Sequence, residues 1–332
     1  MNFLVISLRK NIFTIIFIVF LISLFMFSEN NIEAAQNGLI LWSTKVLPSL
    51  FPFFIATELL CRTTFAHILG KILNKPIKAI FNLPGESTLA ILLGIISGYP
   101  VGAKVVCNLK KNKAISKIEA ERLIAFTNNS GPLFIIGTVG IAMLNNKKIG
   151  IILLISHILS AILVGYCFRF WKRDKLDINF KEICFSSNLV PIKLSNIGEI
   201  IGESIKNAIF SLLSIGGYIV LFSVILSILS ASGIINTVSL FLYNFEIPTE
   251  FSNACISSFI EITNGLNLLS IVYSNYPIIS ILLISFFLGF GGFCVLLQVY
   301  SIIAKENISI KPYLYGKVLQ GFFSVIITFI LI

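Results

Sequence analysis

The sequence predicts an all-α polytopic membrane protein made of two inverted repeats with broken, re-entrant helices, a transporter-like architecture. Three observations predict it. Of 332 residues, 56% are hydrophobic and only 12% charged, with a mean hydropathy of +0.95, far beyond a soluble domain. Apolar runs of about 20 residues, the length that crosses a bilayer, alternate with short charged loops. Four apolar runs are also interrupted by glycine, proline or polar residues, and the interruptions recur in the same order in both halves.

Arg9 and Lys10 precede the first run, Asn11 to Phe27, which Glu29 and Glu33 follow. A signal peptide would end near Ala34-Ala35, but the run is longer than a usual signal core. Residues 1–36 therefore read as an uncleaved anchor span with its N-terminus inside.

The first repeat, 37–171, opens with an amphipathic segment, Asn37 to Val46, leading through Pro48 into a span over Leu50 to Leu60. Arg62, Lys71, Lys75 and Lys78 then mark the inner side. The next run, Leu89 to Cys107, is broken by Ser97-Gly98-Tyr99-Pro100-Val101-Gly102-Ala103-Lys104. Proline removes a backbone donor and glycine tolerates non-helical angles. In lipid, such a break survives only inside protein or beside a water-filled cavity.

Lys110, Lys111, Lys113, Lys117 and Arg122 come next. A full crossing would put this basic cluster outside, so the charges favour a re-entrant hairpin. Ala120 to Leu144 runs outward with a break at Asn128-Asn129-Ser130-Gly131-Pro132, and Ile149 to Phe168 returns to Arg169 and Lys172. Residues 172–198 are the longest polar stretch and read as a cytoplasmic linker.

The second repeat, 199–332, retraces the first. Glu199 to Ser211 is amphipathic, Leu212 to Leu229 spans, and Glu246 and Glu250 lie in an outer loop. Phe251 to Val272 breaks at Glu261-Ile262-Thr263-Asn264-Gly265, and Ile278 to Ala304 breaks at Gly289-Phe290-Gly291-Gly292-Phe293. Lys305, Lys311 and Lys317 mark the inside before Phe322 to Ile332 runs outward. Each half then crosses three times, and an odd number makes the halves inverted. Inverted repeats whose broken helices meet near the midplane are how secondary transporters are built.

The net charge of +10 sits in loops between spans, where it orients the chain and meets lipid headgroups rather than nucleic acid. Six cysteines lie scattered without a C-x-x-C pair, so they read as small apolar residues and predict neither disulfides nor a metal site. His67 and His157 stand too far apart for a local ligand motif, and His157 reads as a hydrogen-bonded packing residue. No cofactor motif is present.

An ionisable residue inside a span is a functional candidate by default. Glu261 is the only acid of its run and sits at the break; Lys104 closes the first break motif. Each has a plain alternative: Lys104 snorkels to the inner headgroups, and Glu261 pairs with a lysine or with backbone amides. Asn128, Asn129, Ser130, Thr263, Asn264, Asn267 and Gln298 add amides and hydroxyls at or near the breaks. With Ser97, Gly98, Gly131 and Gly265 they outline one small polar site, for which Tyr99 and Phe293 offer flat aromatic walls.

These same stretches resemble the YlbJ-type sporulation integral membrane proteins of the nucleoside-recognition, or gate-domain, superfamily. The likeness rests on 97–104, on Asn128-Asn129-Ser130-Gly131-Pro132-Leu133-Phe134-Ile135-Ile136-Gly137, and on Glu261-Ile262-Thr263-Asn264-Gly265. Gly289-Phe290-Gly291-Gly292, Gln298 and Lys311-Pro312-Tyr313-Leu314 also fit. Where that family has small polar residues after the paired glycines, this chain has Phe293-Cys294-Val295-Leu296-Leu297, leaving Gln298 as the polar contact.

The resemblance implies an endospore-forming bacterium, the mother-cell-derived membrane around the forespore, and movement of dipicolinate, a small aromatic dianion. Lys104, helix N-termini, amides and Tyr99 suit that cargo. Glu261 suits a coupling proton, or holds Lys104 in place; Na+ is the alternative coupling ion. A nucleoside or ion permease of the same fold, and a membrane assembly factor that transports nothing, are the rival readings. No paired set of catalytic residues stands at membrane depth, and the prediction is a protein that is not an enzyme.

Overall fold

The computed structural model describes residues 2–61, 65–172 and 197–332, so the expected linker falls almost wholly outside them. Every element among the described residues is helical. The first half contains α1 (Asn2–Met26), α2 (Ser28–Leu41), α3 (Leu47–Cys61) and α4 (Phe65–Phe81). Then come α5 (Ser87–Ile96), α6 (Val101–Lys111), α7 (Lys117–Thr127), a π-helical segment (Phe134–Met143) and α8 (Lys147–Phe168). The second half contains α9 (Ile197–Ala231), α10 (Ile234–Tyr243), α11 (Thr249–Ile260), α12 (Ile262–Val272), α13 (Pro277–Phe290), α14 (Gly292–Ile303) and α15 (Lys311–Leu331).

Local chemistry sets several of these boundaries. Ser116 and Glu119 form a reciprocal capping box that starts α7, satisfying two donors that a helix start leaves open. The Asn146 side chain accepts from the Ile149 N–H and starts α8. Proline opens α13, where a missing N–H costs nothing. Gly291, at φ +88°, ends α13 in the left-handed region that glycine enters without steric cost.

Four stretches of the described residues are long and apolar enough to cross a membrane: 147–168, 197–231, 277–306 and 311–331. A fifth exists if the pair 11–26 and 28–44, bent by 98°, counts as one span. The shorter apolar helices α5, α10, α12 and the π-helical segment have 10 or 11 residues. At 1.5 Å per residue, such an element covers only about half of a bilayer core. This is a polytopic all-α membrane protein.

The order of elements repeats. Each half has a long helical rod, a short helix, two broken helices and a last long helix. Contacts between the halves are exchanged correspondingly. In the first half α6 touches α14 of the second, and α12 of the second touches the π-helical segment of the first. Likewise α7 packs on α15 and α13 on α8, while α8 and α15 pack on each other. The rods also pair, α2 and α3 lying along α9.

Several expectations change. The segment Asn37 to Val46 is not a separate element: α2 continues through a π-helical turn (Trp42–Val46) into α3. The basic stretch after Arg62 holds a helix, α4, because Lys71, Lys75 and Lys78 recur at helical spacing along one stripe. Ile77 and Phe81 are buried on its other side. The loop expected to be only an outer connection carries α10. Lys317 does not mark the inner surface; it lies inside α15, nearly two turns from its start, at 3% exposure.

Glycines let these helices come together. A Cβ on Gly94 or Gly102 would strike the carbonyl of Thr127, and one on Gly316 would strike that of Ala125. Helix association in lipid depends on such close backbone approach, because lipid tails supply no hydrophobic drive.

Candidate functional site

The four breaks converge. In the first, Gly98 takes φ +78° and the Tyr99–Pro100 peptide is cis. Gly98 stands directly against the second break: a Cβ there would lie 2.9 Å from the Gly131 nitrogen. In the second, the chain leaves helix over Asn128 to Gly131. The third is a single extended residue, Glu261, at φ −139° and ψ 115°. The fourth is Gly291-Gly292, and a Cβ on Gly292 would meet the Ser258 carbonyl beside the third break at 2.9 Å. Breaks one and two touch, and so do breaks three and four.

A cavity opens among them, lined by Gly98, Tyr99, Gly131, Glu261, Thr263, Cys294 and Gln298. Phe134 and Val295 complete its inner wall, and the two rods close it with Val46, Leu50, Ile215 and Ile219. It measures about 40 Å3, room for a few waters. A ring-bearing molecule therefore requires the walls to part. The lining comes from the breaks and from the first turns that follow them: Ile262 and Thr263 begin α12, Cys294 and Val295 begin α14, and Tyr99 precedes α6. Helix starts carry partial positive charge and unpaired N–H groups.

Glu261 occupies one such start. Its carboxylate accepts from the N–H of Thr263 at 3.0 Å and of Asn264 at 2.8 Å. That is the backbone-amide alternative weighed in the sequence, and it holds a carboxylate at 1% exposure without a lysine. The Asn264 amide donates to Ser223 Oγ of α9 at 3.1 Å, tying the break to a rod.

Behind the cavity lies a buried polar network. Ser130 donates through Oγ to the Tyr99 hydroxyl at 3.3 Å and through its N–H to His157 Nε2 at 3.1 Å. The Asn128 amide donates to the Tyr313 hydroxyl at 3.3 Å. Asn129 Oδ1 accepts from Gln320 Nε2 at 2.9 Å, and Lys317 Nζ donates to Gln320 Oε1 at 2.7 Å. The second break is thus fastened to α8 and α15.

Of the expected site residues, Gly98, Tyr99, Gly131, Glu261, Thr263 and Gln298 face the cavity together. Asn128, Asn129 and Ser130 stand behind it. Ser97 is buried at the end of α5, and Gly265 is a packing glycine pressed on Ser258. Lys104 is not brought to Glu261: it is half-buried and its Nζ donates to Ser211 Oγ of α9. Phe293 forms no wall, being 48% exposed with its ring edge-on to Phe290. Asn267 is exposed as well.

Sequence reading missed Tyr313, Lys317 and Gln320. A signal was present. Positions 313, 317, 320, 324 and 328 carry Tyr, Lys, Gln, Ser and Thr at helical spacing, a polar stripe along an otherwise apolar α15, and all five are buried. Treating Lys317 as a topology marker hid it.

Residues 43–145, which hold the first two breaks, match the Gate family, described as nucleoside recognition. Over 319 residues the chain is 34% identical to the sporulation integral membrane protein YlbJ of Bacillus subtilis, covering 91% of this chain and 78% of that protein. The chain belongs to the YlbJ family. No solved structure matches it. The likeness to YlbJ is nearly full-length, so it takes in both halves and all four breaks.

The capping role of Glu261 is testable by thermal unfolding in detergent. Glu261→Ala leaves the buried Thr263 N–H and the part-buried Asn264 N–H without their acceptor, at a cost of about 1–3 kcal/mol. Glu261→Gln keeps one acceptor oxygen and is expected to lose less. Equal Tm values for the wild type and Glu261→Ala would refute the cap.

Proposed function

We propose that this protein is a secondary-type transporter acting in spore formation, which moves dipicolinate out of the mother cell toward the forespore. The observation that carries this reading is the convergence of helix starts on one cavity at the breaks. Such starts attract anions, and Tyr99 offers a flat face to a ring. Membership of the YlbJ family, whose Bacillus subtilis member is a sporulation integral membrane protein, supports the cellular setting. On this reading the protein resides in the mother-cell-derived membrane around the forespore.

The two halves, 37–171 and 199–332, act as inverted repeats joined by a cytoplasmic linker over 172–198, with 1–36 as an anchor. The repeated order of elements and the exchanged contacts between halves support this. The small cavity corresponds to a closed state, and the two hairpins α5–α6 and α11–α12 are the parts that open it. Lys104 contributes by tying the first hairpin to α9 rather than by touching cargo.

A second reading keeps the fold and makes the cargo a nucleoside. Glu261 and Gln298 in the lining, and the nucleoside-recognition match over the first two breaks, favour it. Neutral rings with hydroxyls pair well with a carboxylate and an amide, whereas an ionised Glu261 repels a dianion.

Uptake of labelled dipicolinate and labelled uridine into inside-out vesicles separates the two. Dipicolinate uptake is expected, falling about tenfold or more in Tyr99→Ala, a loss of about 1.4 kcal/mol or more at the cavity. Uridine uptake alone would replace the cargo; uptake of neither would leave the assembly-factor reading. For the topology, a single cysteine at the exposed position Lys113 should react with impermeant thiol reagents only from the cytoplasmic side. Labelling from outside would sink both the re-entrant hairpin and the inversion.

A further inference from the structure

Lys317 is a buried cation that the cavity does not use. It lies where α15 packs on α7, α8 and α13, and its Nζ donates to Gln320 Oε1 at 2.7 Å and Asn129 Oδ1 at 3.5 Å. The Tyr313 ring stands 5.9 Å away. Among the described residues no carboxylate pairs with it; the ion pairs there are Lys110–Glu306 and Lys172–Glu121. An unpaired charge at membrane depth is costly, and such residues mark ion or proton pathways.

The surroundings supply no other charge to hold it. From α8 comes His157, whose Nε2 accepts from Ser130 and is therefore unprotonated in this arrangement. On α7, Glu121 is engaged by Trp171 and Lys172, and Arg122 by Trp171 and Asn82. Helix α13 carries no ionisable residue. Tyr313 on α15 itself stands beside it, and Tyr99 lies beyond Ser130.

The amides around Lys317 are oriented by their other bonds. Gln320 Nε2 donates to Asn129 Oδ1 at 2.9 Å and to the His157 carbonyl at 3.4 Å. Asn129 Nδ2 donates to the Phe126 carbonyl at 2.7 Å. Both amide oxygens are left facing the lysine. An ammonium has three N–H groups and a neutral amine two, so either form satisfies both acceptors. One proton can come or go without orphaning a partner, and a proton needs no cavity.

We propose that Lys317, Asn129 and Gln320 form a proton-binding site whose occupancy is coupled to movement of cargo. The inference rests on the transporter reading above. Binding adds one proton to the Nζ lone pair, turning R–NH2 into R–NH3+, and breaks no other bond. The charged form donates the stronger hydrogen bonds and so grips Asn129 and the second break more tightly. Ser130, the next residue, contacts Tyr99, and Gly131 lines the cavity. The charge state of Lys317 is thereby transmitted to the cavity wall.

The test uses the purified full chain in proteoliposomes with labelled dipicolinate and uridine, comparing wild type with K317M and K317R. A one-unit pH gradient should drive wild-type accumulation of up to about tenfold for one proton per cargo. Both variants should lose that accumulation while keeping cargo exchange without a gradient. Arginine keeps the charge but cannot shed it, so K317R decides if K317M fails to fold. Accumulation surviving in either variant, or exchange lost in both, would overturn the proposal, as would a wild type indifferent to pH gradients. If the wild type moves no cargo, the transporter reading itself has failed. Potentiometric titration of cargo-free protein then stands alone: K317M should bind one proton fewer than wild type across the pH range where both stay folded. Equal counts would overturn the site.

Discussion

A helix interrupted inside lipid leaves N–H and C=O groups that no water can satisfy, and the rest of this structure follows from that constraint. The second and third interruptions are answered by protein side chains. Glu261 supplies two acceptor oxygens to the start of α12. Asn128, Asn129 and Ser130 turn their polar atoms to Tyr313, Gln320, Lys317, His157 and Tyr99. Because the breaks must be covered, they are drawn together, Gly98 on Gly131 and Gly292 beside the third break. The cavity is what remains between them.

Polar contacts hold both the α15 core and the hairpins in place. Around α15, helices α7, α8 and α13 pack closely, with Ser285, Ser324 and Thr328 linked by hydroxyl hydrogen bonds. The two hairpins are tied to the rod α9 by Lys104 to Ser211 and Asn264 to Ser223. Motion of the hairpins against the α15 core would enlarge the cavity while leaving the second break anchored.

Much of the architecture was legible because lipid imposes strict rules on sequence. Long apolar runs had to be helices, and glycine, proline or a lone acid within them had to mark breaks; all four stand where the residues placed them. Charges told less where a helix carried them on one side: the lysines of α4 mark the inner side in the sequence and do not announce the helix. They misled at Lys317, because a lysine between apolar residues reads the same whether it faces headgroups or a buried amide. Lys104 and Glu261 looked like partners in sequence, yet each finds a nearer neutral one, Ser211 or the α12 amides. Pairing across a fold is set by distances that no one-dimensional pattern contains.

The claim that the cavity between the breaks receives cargo can be probed at Cys294, which lines it at 1% exposure. With the other five cysteines replaced, alkylation of Cys294 by a water-soluble thiol reagent reports each opening of the walls. Slow labelling that bound dipicolinate or nucleoside suppresses is the expected result. Labelling that proceeds unchanged with saturating cargo, or a folded protein that never labels, would contradict it.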